Sequence, residues 1–228
     1  MIRRNIALIP AAGVGARFGA GKPKQYVEIN GKTVLQHTIE IFEQHPRIDL
    51  IAVILSPEDS VFQTALFEKV RVFRVGGASR AETVRNGVSV LLEQGLAEAQ
   101  DNILVHDAAR CCLPAEALTR LLDEAGESNE GGILAIPVAD TLKRSDGSHH
   151  IDETVARTGL WQAQTPQLFQ TALLHHALSV DDLSEITDEA SAVEKLGIRP
   201  RLVQGDTRNL KLTLPQDEYI VRLLLKAV

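Results

Sequence analysis

Residues 5–18 read Asn-Ile-Ala-Leu-Ile-Pro-Ala-Ala-Gly-Val-Gly-Ala-Arg-Phe, and this stretch decides the fold class. Asn5 to Pro10 is a short apolar run ended by proline, which reads as a strand. A glycine-rich loop follows. From about Thr33 to Gln44 the apolar positions Val34, Leu35, Thr38, Ile39, Ile41 and Phe42 share one helical face, and Pro46 ends the helix. Strand, glycine loop and helix in that order open an α/β sheet that carries its ligand loops at the carboxyl ends of its strands.

Leu50 to Leu55 reads as a strand apolar on both faces, as a buried parallel sheet requires. Arg71 to Val75 is a third strand, followed by Gly76-Gly77 and a helix carrying Val84, Val88, Leu91 and Leu92. Asn102 to His106 is a fourth strand, Pro114 to Ala125 a helix with proline near its first turn, and Ile133 to Val138 a fifth strand. The alternation implies right-handed crossovers and an α/β, Rossmann-like, mostly parallel sheet with helices on both faces. The pattern breaks at Ala139 to Arg157, a polar stretch containing Ser145-Asp146-Gly147-Ser148. Two extended segments around that turn make a hairpin arm. An isolated hairpin barely holds together in water, so the arm is expected to lean on a second subunit of a homodimer. Helices are expected at about Pro166 to Leu178 and Asp188 to Leu196, a strand at Arg201 to Gln204, and a last helix from Pro215. One domain, 1–228 with an arm at about 139–157, accounts for the chain.

Composition narrows the function classes. The chain has 228 residues, 24 basic and 30 acidic, for a net charge of −6. Nucleic-acid and anionic-membrane surfaces need a basic face, so neither is expected as a partner. Nine aromatic residues (one Trp, two Tyr, six Phe) are too few to expect a stacking platform for single strands. The two cysteines, Cys111 and Cys112, are adjacent, which excludes a disulfide framework and suggests a reducing compartment. The longest apolar runs fall far short of the roughly 18 residues of a membrane span. A cytoplasmic protein is the expectation.

Three places carry candidate chemistry. The loop from Pro10 brings Ala11, Ala12, Gly13 and Gly15 together with the cations Arg17, Lys22 and Lys24. Small residues let backbone N–H groups approach a phosphate chain, and such nests hold anions. The loop matches neither common phosphate fingerprint: G-x-G-x-x-G fails at Phe18, and the P-loop fails at Ala16 and Pro23. The second place is Val105-His106-Asp107-Ala-Ala-Arg110, at the same sheet edge. Asp107 is a candidate ligand for Mg²⁺ or another divalent cation, which prefers one or two carboxylates plus phosphate oxygens and water. His106 should point to the opposite face as a packed, hydrogen-bonded histidine. The third is Asn209-Leu-Lys211-Leu-Thr213, a strand-like alternation that places Lys211 between apolar neighbours. The pairs His149-His150 and His175-His176 read as surface or packing residues, since adjacent side chains seldom converge on one ion.

The segments PAAGVGARF, KPKQY, GGASRAETV, VHDAAR, DTLKR, TVART, QTPQLF, ITDEAS and NLKLT occur in this order from about Asn5 to the last helix. Together they resemble the 2-C-methyl-D-erythritol 4-phosphate cytidylyltransferases, nucleotidyltransferases of non-mevalonate isoprenoid synthesis. The resemblance implies reaction of CTP with methylerythritol 4-phosphate, a sugar-alcohol phosphate, with Mg²⁺. It implies that the Pro10 to Gly15 backbone holds cytosine and phosphates, with Gly76, Gly77 and Thr83 by the nucleoside, and that Arg17 and Lys24 stabilise charge at the attacked phosphorus. Asp107 would bind the metal. Arg110, Thr165, Thr187 and Asp188 would line the acceptor pocket. Arg157 and Lys211 would position the acceptor phosphate, with Thr141 and Arg157 supplied by the second subunit's arm. Ala78 stands where relatives can carry Asp, Thr83 where Ser is usual, and Cys111 where Pro is usual.

The residues suit that chemistry without the resemblance. A phosphate monoester with a second pKa near 6 is mostly dianionic at neutral pH and needs no general base. Bringing a dianion to a triphosphate calls for cations and metal instead. Two other readings remain open at this point: a ribitol 5-phosphate cytidylyltransferase, and a nucleotide-binding regulatory module without turnover.

Overall fold

The computed structural model describes residues 3–13, 23–63 and 67–226. β1 (Asn5–Pro10) ends at the glycine loop. A single 3-10 turn at Lys24–Tyr26 leads into a small ribbon, β2 (Glu28–Ile29) and β3 (Lys32–Thr33). The ribbon turns through Asn30 and Gly31, at φ 51° and 83°. An Asn-Gly pair is the residue choice a two-residue turn with both φ positive demands.

α1 (Val34–Gln44) starts in a capping box. The Thr33 hydroxyl accepts the Gln36 N–H at 3.2 Å, and the Gln36 side chain accepts the Thr33 N–H at 2.7 Å. Then come β4 (Leu50–Ile54), β5 (Val70–Phe73), α2 (Arg80–Glu93) capped by Ser79, β6 (Asn102–Val105) and α3 (Ala115–Ala125) entered through Pro114. β7 (Gly132–Pro137) precedes the arm, β8 (Leu142–Ser145) and β9 (Ile151–Val155). The chain closes with β10 (Trp161–Gln170), α4 (Thr171–Leu178), α5 (Glu189–Glu194), β11 (Arg201–Gln204) and α6 (Asp217–Leu224).

Seven strands form the central sheet in the order β11-β7-β10-β6-β1-β4-β5. All are parallel except β10, which is antiparallel to both β6 and β7. Side chains alternate across it as a strand requires. Ala7 and Ile9 join Leu35, Ile39, Phe42, Leu118 and Leu121 on one face, while Ile6 and Leu8 join Val84, Val88, Leu91 and Leu174 on the other. A third cluster, with Ile29, Val34, Cys111, Leu212 and Val221, seats α6 against the ribbon and the loop after β6.

Two expectations are corrected. The segment from Pro166 is not helical until Thr171; residues 161–170 are a strand in the middle of the sheet. Leu168 and Phe169 are adjacent and both fully buried, which in a strand places one on each covered face. Glutamines at 162, 164 and 167 hide this in the sequence, because a central strand is expected to be apolar throughout. Gln164 and Gln167 are nonetheless buried and hydrogen-bonded. The stretch Asn209–Thr213 is not a strand either. It is held to the loop after β6 by the Leu212 N–H, which donates to the Ala109 carbonyl at 2.9 Å.

The arm forms as expected, with Leu142 opposite Val155 and Arg144 opposite Glu153. Its connection is longer than a two-residue turn: Asp146 Oδ1 accepts the Ser148 N–H at 2.8 Å, and Gly147 and His149 lie at φ 88° and 67°. Only Leu142 and Val155 are partly buried. A ribbon with so little apolar cover is marginal by itself.

Candidate active site

A cavity of about 600 Å³ opens at the carboxyl edge of the sheet. Pro10 to Gly13 line it after β1, Gly77 to Arg80 and Thr83 around the start of α2, Asp107 to Ala109 after β6, and Lys24, Gln25, Lys211 and Thr213 close it. The parallel order of β6, β1, β4 and β5 brings these segments together, since their carboxyl ends share one edge.

The loops after β1 and β5 are fixed by backbone contacts. The Ala11 N–H donates to the Ile54 carbonyl and the Gly76 N–H to the Leu55 carbonyl, each at 2.8 Å. A Cβ on Gly76 would stand 2.3 Å from the Ala12 Cβ and 2.7 Å from the Leu55 oxygen, so only glycine allows the two loops to meet. The Thr83 hydroxyl accepts the Gly77 N–H at 3.1 Å and donates to the Ser79 carbonyl at 2.9 Å. It therefore shapes the turn as well as lining the cavity.

Lys24 is placed by its neighbours. Gln25 Nε2 donates to the Ala11 carbonyl at 3.0 Å, and the Tyr26 hydroxyl donates to Asp59 Oδ2 at 2.6 Å. Burial and the Asp59 carboxylate hold the Tyr26 phenol above its usual range, so it stays a donor.

Asp107 is the centre of the charged half. Arg80 Nε donates to its Oδ1 at 2.8 Å, Lys211 Nζ lies 2.8 Å from its Oδ2, and Arg110 Nε lies 3.7 Å from the same oxygen. Burial favours the neutral acid, but Arg80, Lys211 and Arg110 outweigh it and hold the carboxyl well below the usual carboxylate range. Arg80 in turn makes a two-pronged pair with the fully buried Glu189, Nη1 to Oε1 at 2.6 Å and Nη2 to Oε2 at 3.1 Å.

His106 lies behind Asp107, completely buried, with its ring edge-on to Phe42. Its Nε2 faces the Arg110 carbonyl at 2.9 Å and its Nδ1 faces the Thr165 hydroxyl at 3.0 Å. A carbonyl only accepts, so the proton is on Nε2 and the Thr165 hydroxyl donates to Nδ1. The same Thr165 oxygen accepts the Asp107 N–H at 3.1 Å. Burial pushes the His106 pKa down to about 4, and the ring is neutral at physiological pH. This is the packed, hydrogen-bonded histidine that the strand alternation implies.

The expected site residues divide by position. Pro10, Ala11, Ala12, Gly13, Lys24, Gly77, Thr83, Asp107 and Lys211 line one cavity, with Gly76 directly behind its turn. Arg110 and Thr165 stand behind Asp107, Arg110 donating from Nη1 to the Asn209 carbonyl at 2.6 Å. Asp188 caps α5 and accepts from Gln167 Nε2 at 2.8 Å, and Thr187 beside it is exposed. Thr141 and Arg157 lie exposed on and beside the arm, outside this chain's cavity lining. Gly15, Arg17 and Lys22 fall outside the described residues.

Sequence reasoning missed Arg80 and Glu189. Both sit inside the motifs GGASRAETV and ITDEAS, in which the resemblance picks out Gly76, Gly77 and Thr83, and Thr187 and Asp188, instead. The available signal was a charged residue in the first turn of a helix next to buried alanines, Ala81 and Ala190.

Among the described residues no three His, Cys, Asp or Glu side chains converge as a metal cage. Asp107 fits a metal as a single ligand. It is ionised, it lines the cavity, and each oxygen has one short donor, leaving a lone pair on each. Phosphate oxygens and water would supply the remaining ligands.

Comparison with known proteins agrees with this architecture. The family model described as IspD, 2-C-methyl-D-erythritol 4-phosphate cytidylyltransferase, matches residues 5–227. A protein of that name from Neisseria meningitidis serogroup C is 71% identical over the whole of both chains. One from Chromobacterium violaceum is 49% identical over 97% of this chain and 98% of its own. A crystal structure of a 4-diphosphocytidyl-2C-methyl-D-erythritol synthase superposes with a TM-score of 0.89 at 64% identity, covering 99% of each chain. The Thermus thermophilus cytidylyltransferase structure gives 0.79 at 28% identity, covering 99% of this chain and 100% of its own. No described helix is long and apolar enough to cross a membrane. The chain belongs to the 2-C-methyl-D-erythritol 4-phosphate cytidylyltransferase family.

Proposed function

We propose that this chain transfers the cytidylyl group of CTP to 2-C-methyl-D-erythritol 4-phosphate, giving 4-diphosphocytidyl-2-C-methyl-D-erythritol and pyrophosphate. The observation that carries the reading is the ionised Asp107 ringed by Arg80, Lys211 and Arg110 at the mouth of the small-residue loop. Arg80 and Lys211, which also line the cavity, offer positive charge to phosphates entering it.

An oxygen of the acceptor phosphate attacks the α-phosphorus of CTP, and the bond from that phosphorus to the bridging oxygen of the β-phosphate breaks. No proton has to move, because the acceptor phosphate is already dianionic at neutral pH. His106 fits this: it is neutral, and both ring nitrogens are engaged away from the cavity. Lys24, with Arg17, draws charge from the crowded phosphorus, and Lys211 offsets the charge of the incoming phosphate. The cavity lining from Pro10 to Gly13 is backbone and small side chains, which leaves cytosine to be read by hydrogen bonds at its edge. A magnesium ion held by Asp107 and phosphate oxygens would supply further neutralisation of the triphosphate. The exposed arm is read as the contact of a homodimer, with Thr141 and Arg157 of the second copy completing the acceptor pocket. The enzyme is read as cytoplasmic.

The test is a pyrophosphate-release panel of CTP, UTP and ATP against methylerythritol 4-phosphate and ribitol 5-phosphate. Release with CTP and methylerythritol 4-phosphate alone is expected. Preference for ribitol 5-phosphate would move the chain to the other acceptor. Binding of CTP without release, for either acceptor, would reduce it to a nucleotide-binding module.

A further inference from the structure

Glu189 occupies an unexpected place. It follows Asp188, the cap of α5, on the side of the chain assigned to the acceptor, yet its carboxylate points away from that role. It is 1% exposed and spends both oxygens on Arg80. Arg80 opens α2 immediately after the turn that lines the nucleotide side of the cavity. With Nη1 and Nη2 on Glu189 and Nε on Asp107, three of its five N–H donors are committed. Two directions of restraint fix a planar guanidinium completely. Burial acts against both charges. It pushes the Glu189 carboxyl up, while Glu189 and Asp107 together keep the Arg80 guanidinium firmly protonated.

We infer that Glu189 is a positioning residue for the nucleotide half of the site: it orients Arg80, and Arg80 orients Oδ1 of Asp107. This rests on the proposed cytidylyl transfer, and it assigns Glu189 to CTP although its sequence neighbours belong to the acceptor. If Glu189 merely held α5 in place, its loss would disturb Thr187 and Asp188 and show in the acceptor. Acting through Arg80, its loss shows in CTP.

The experiment measures CTP binding by calorimetry with Mg²⁺ present, and steady-state kinetics for both substrates, in the wild-type enzyme, Glu189→Gln, Arg80→Lys and the double variant. Glu189→Gln is expected to weaken CTP binding by about tenfold or more, with the acceptor KM within about twofold of wild type. Arg80→Lys keeps the charge but loses the fork and is expected to weaken CTP similarly. The double variant should be no worse than the weaker-binding single variant, because the two residues act in series. Glu189→Asp, which keeps the charge and withdraws it by one methylene, serves if the glutamine variant does not fold. It should bind CTP at least about threefold more weakly. Unchanged CTP affinity in Glu189→Gln or Glu189→Asp, a raised acceptor KM with CTP unaffected, or additive losses in the double variant would overturn the inference. Failure of the wild-type enzyme to bind CTP would instead count against the proposed function.

Discussion

Lys24 and His106 represent two opposite uses of a basic side chain. Lys24 is held at the cavity by the next two residues of its turn, Gln25 bonded to Ala11 and Tyr26 bonded to Asp59. Its replacement by alanine should lower kcat by about 10²–10³, the loss found when one donor to a developing oxyanion is removed. Circular dichroism should be unchanged, since the side chain lies on the cavity lining. His106, buried behind Asp107 with both ring nitrogens hydrogen-bonded, contributes to stability. Its pKa falls from an ordinary 6.5 to about 4. Between those values the unfolded chain takes up a proton that the folded chain does not, so the contribution is complete above 6.5 and declines as pH falls toward 4. From pH 7 to 5 this amounts to about 2 kcal/mol. In urea unfolding at the two pH values, His106→Gln should lose about that much less than wild type; equal losses would contradict the assignment. Glu189, raised by burial, responds in the opposite sense and is common to both proteins.

At the scale of elements, two glycines of one cavity make contrasting demands. Gly76 has no room for a methyl group, whereas a Cβ on Gly13 would meet nothing within 4 Å. Gly76→Ala should cost about 1–3 kcal/mol of stability through overpacking against Ala12 and Leu55. Gly13→Ala should leave the melting temperature unchanged and, on the proposed function, weaken CTP binding by filling the space through which phosphates would approach the backbone. Equal effects of the two substitutions on melting would refute this division. The elements themselves were largely legible. Thr33 and Gln36 announce α1, and the apolar runs of β1, β4 and β6 announce buried parallel strands. β10 was not legible, because Gln164 and Gln167 satisfy their amides through partners distant in sequence: the Asp206 carbonyl, Asp188 and the Ala190 N–H. The Asn30-Gly31 turn is readable from its two residues. Asp107 could be picked out because it closely follows the apolar run of β6. Arg80 and Glu189 could not, because their meaning is their pairing across 109 positions.

For the whole molecule, the acidic chain places Lys24, Arg80 and Lys211 on the lining of one cavity, and the arm has little cover of its own. Replacing residues 143–154 by a short glycine linker should yield a monomer in sedimentation analysis. CTP affinity should stay within about threefold of wild type, and turnover of the acceptor should be lost. A dimer that survives the deletion would remove the arm from the interface. The central claim, transfer of the cytidylyl group within this one cavity, is tested most directly by a single-turnover experiment with CTP labelled at the α- or the γ-phosphorus. The α-label is predicted to pass into the diphosphocytidyl alcohol and the γ-label to appear only in pyrophosphate, with Lys24→Ala slowing both by about 10²–10³. Release of the γ-label as inorganic phosphate, or transfer at the wild-type rate without Lys24, would contradict it.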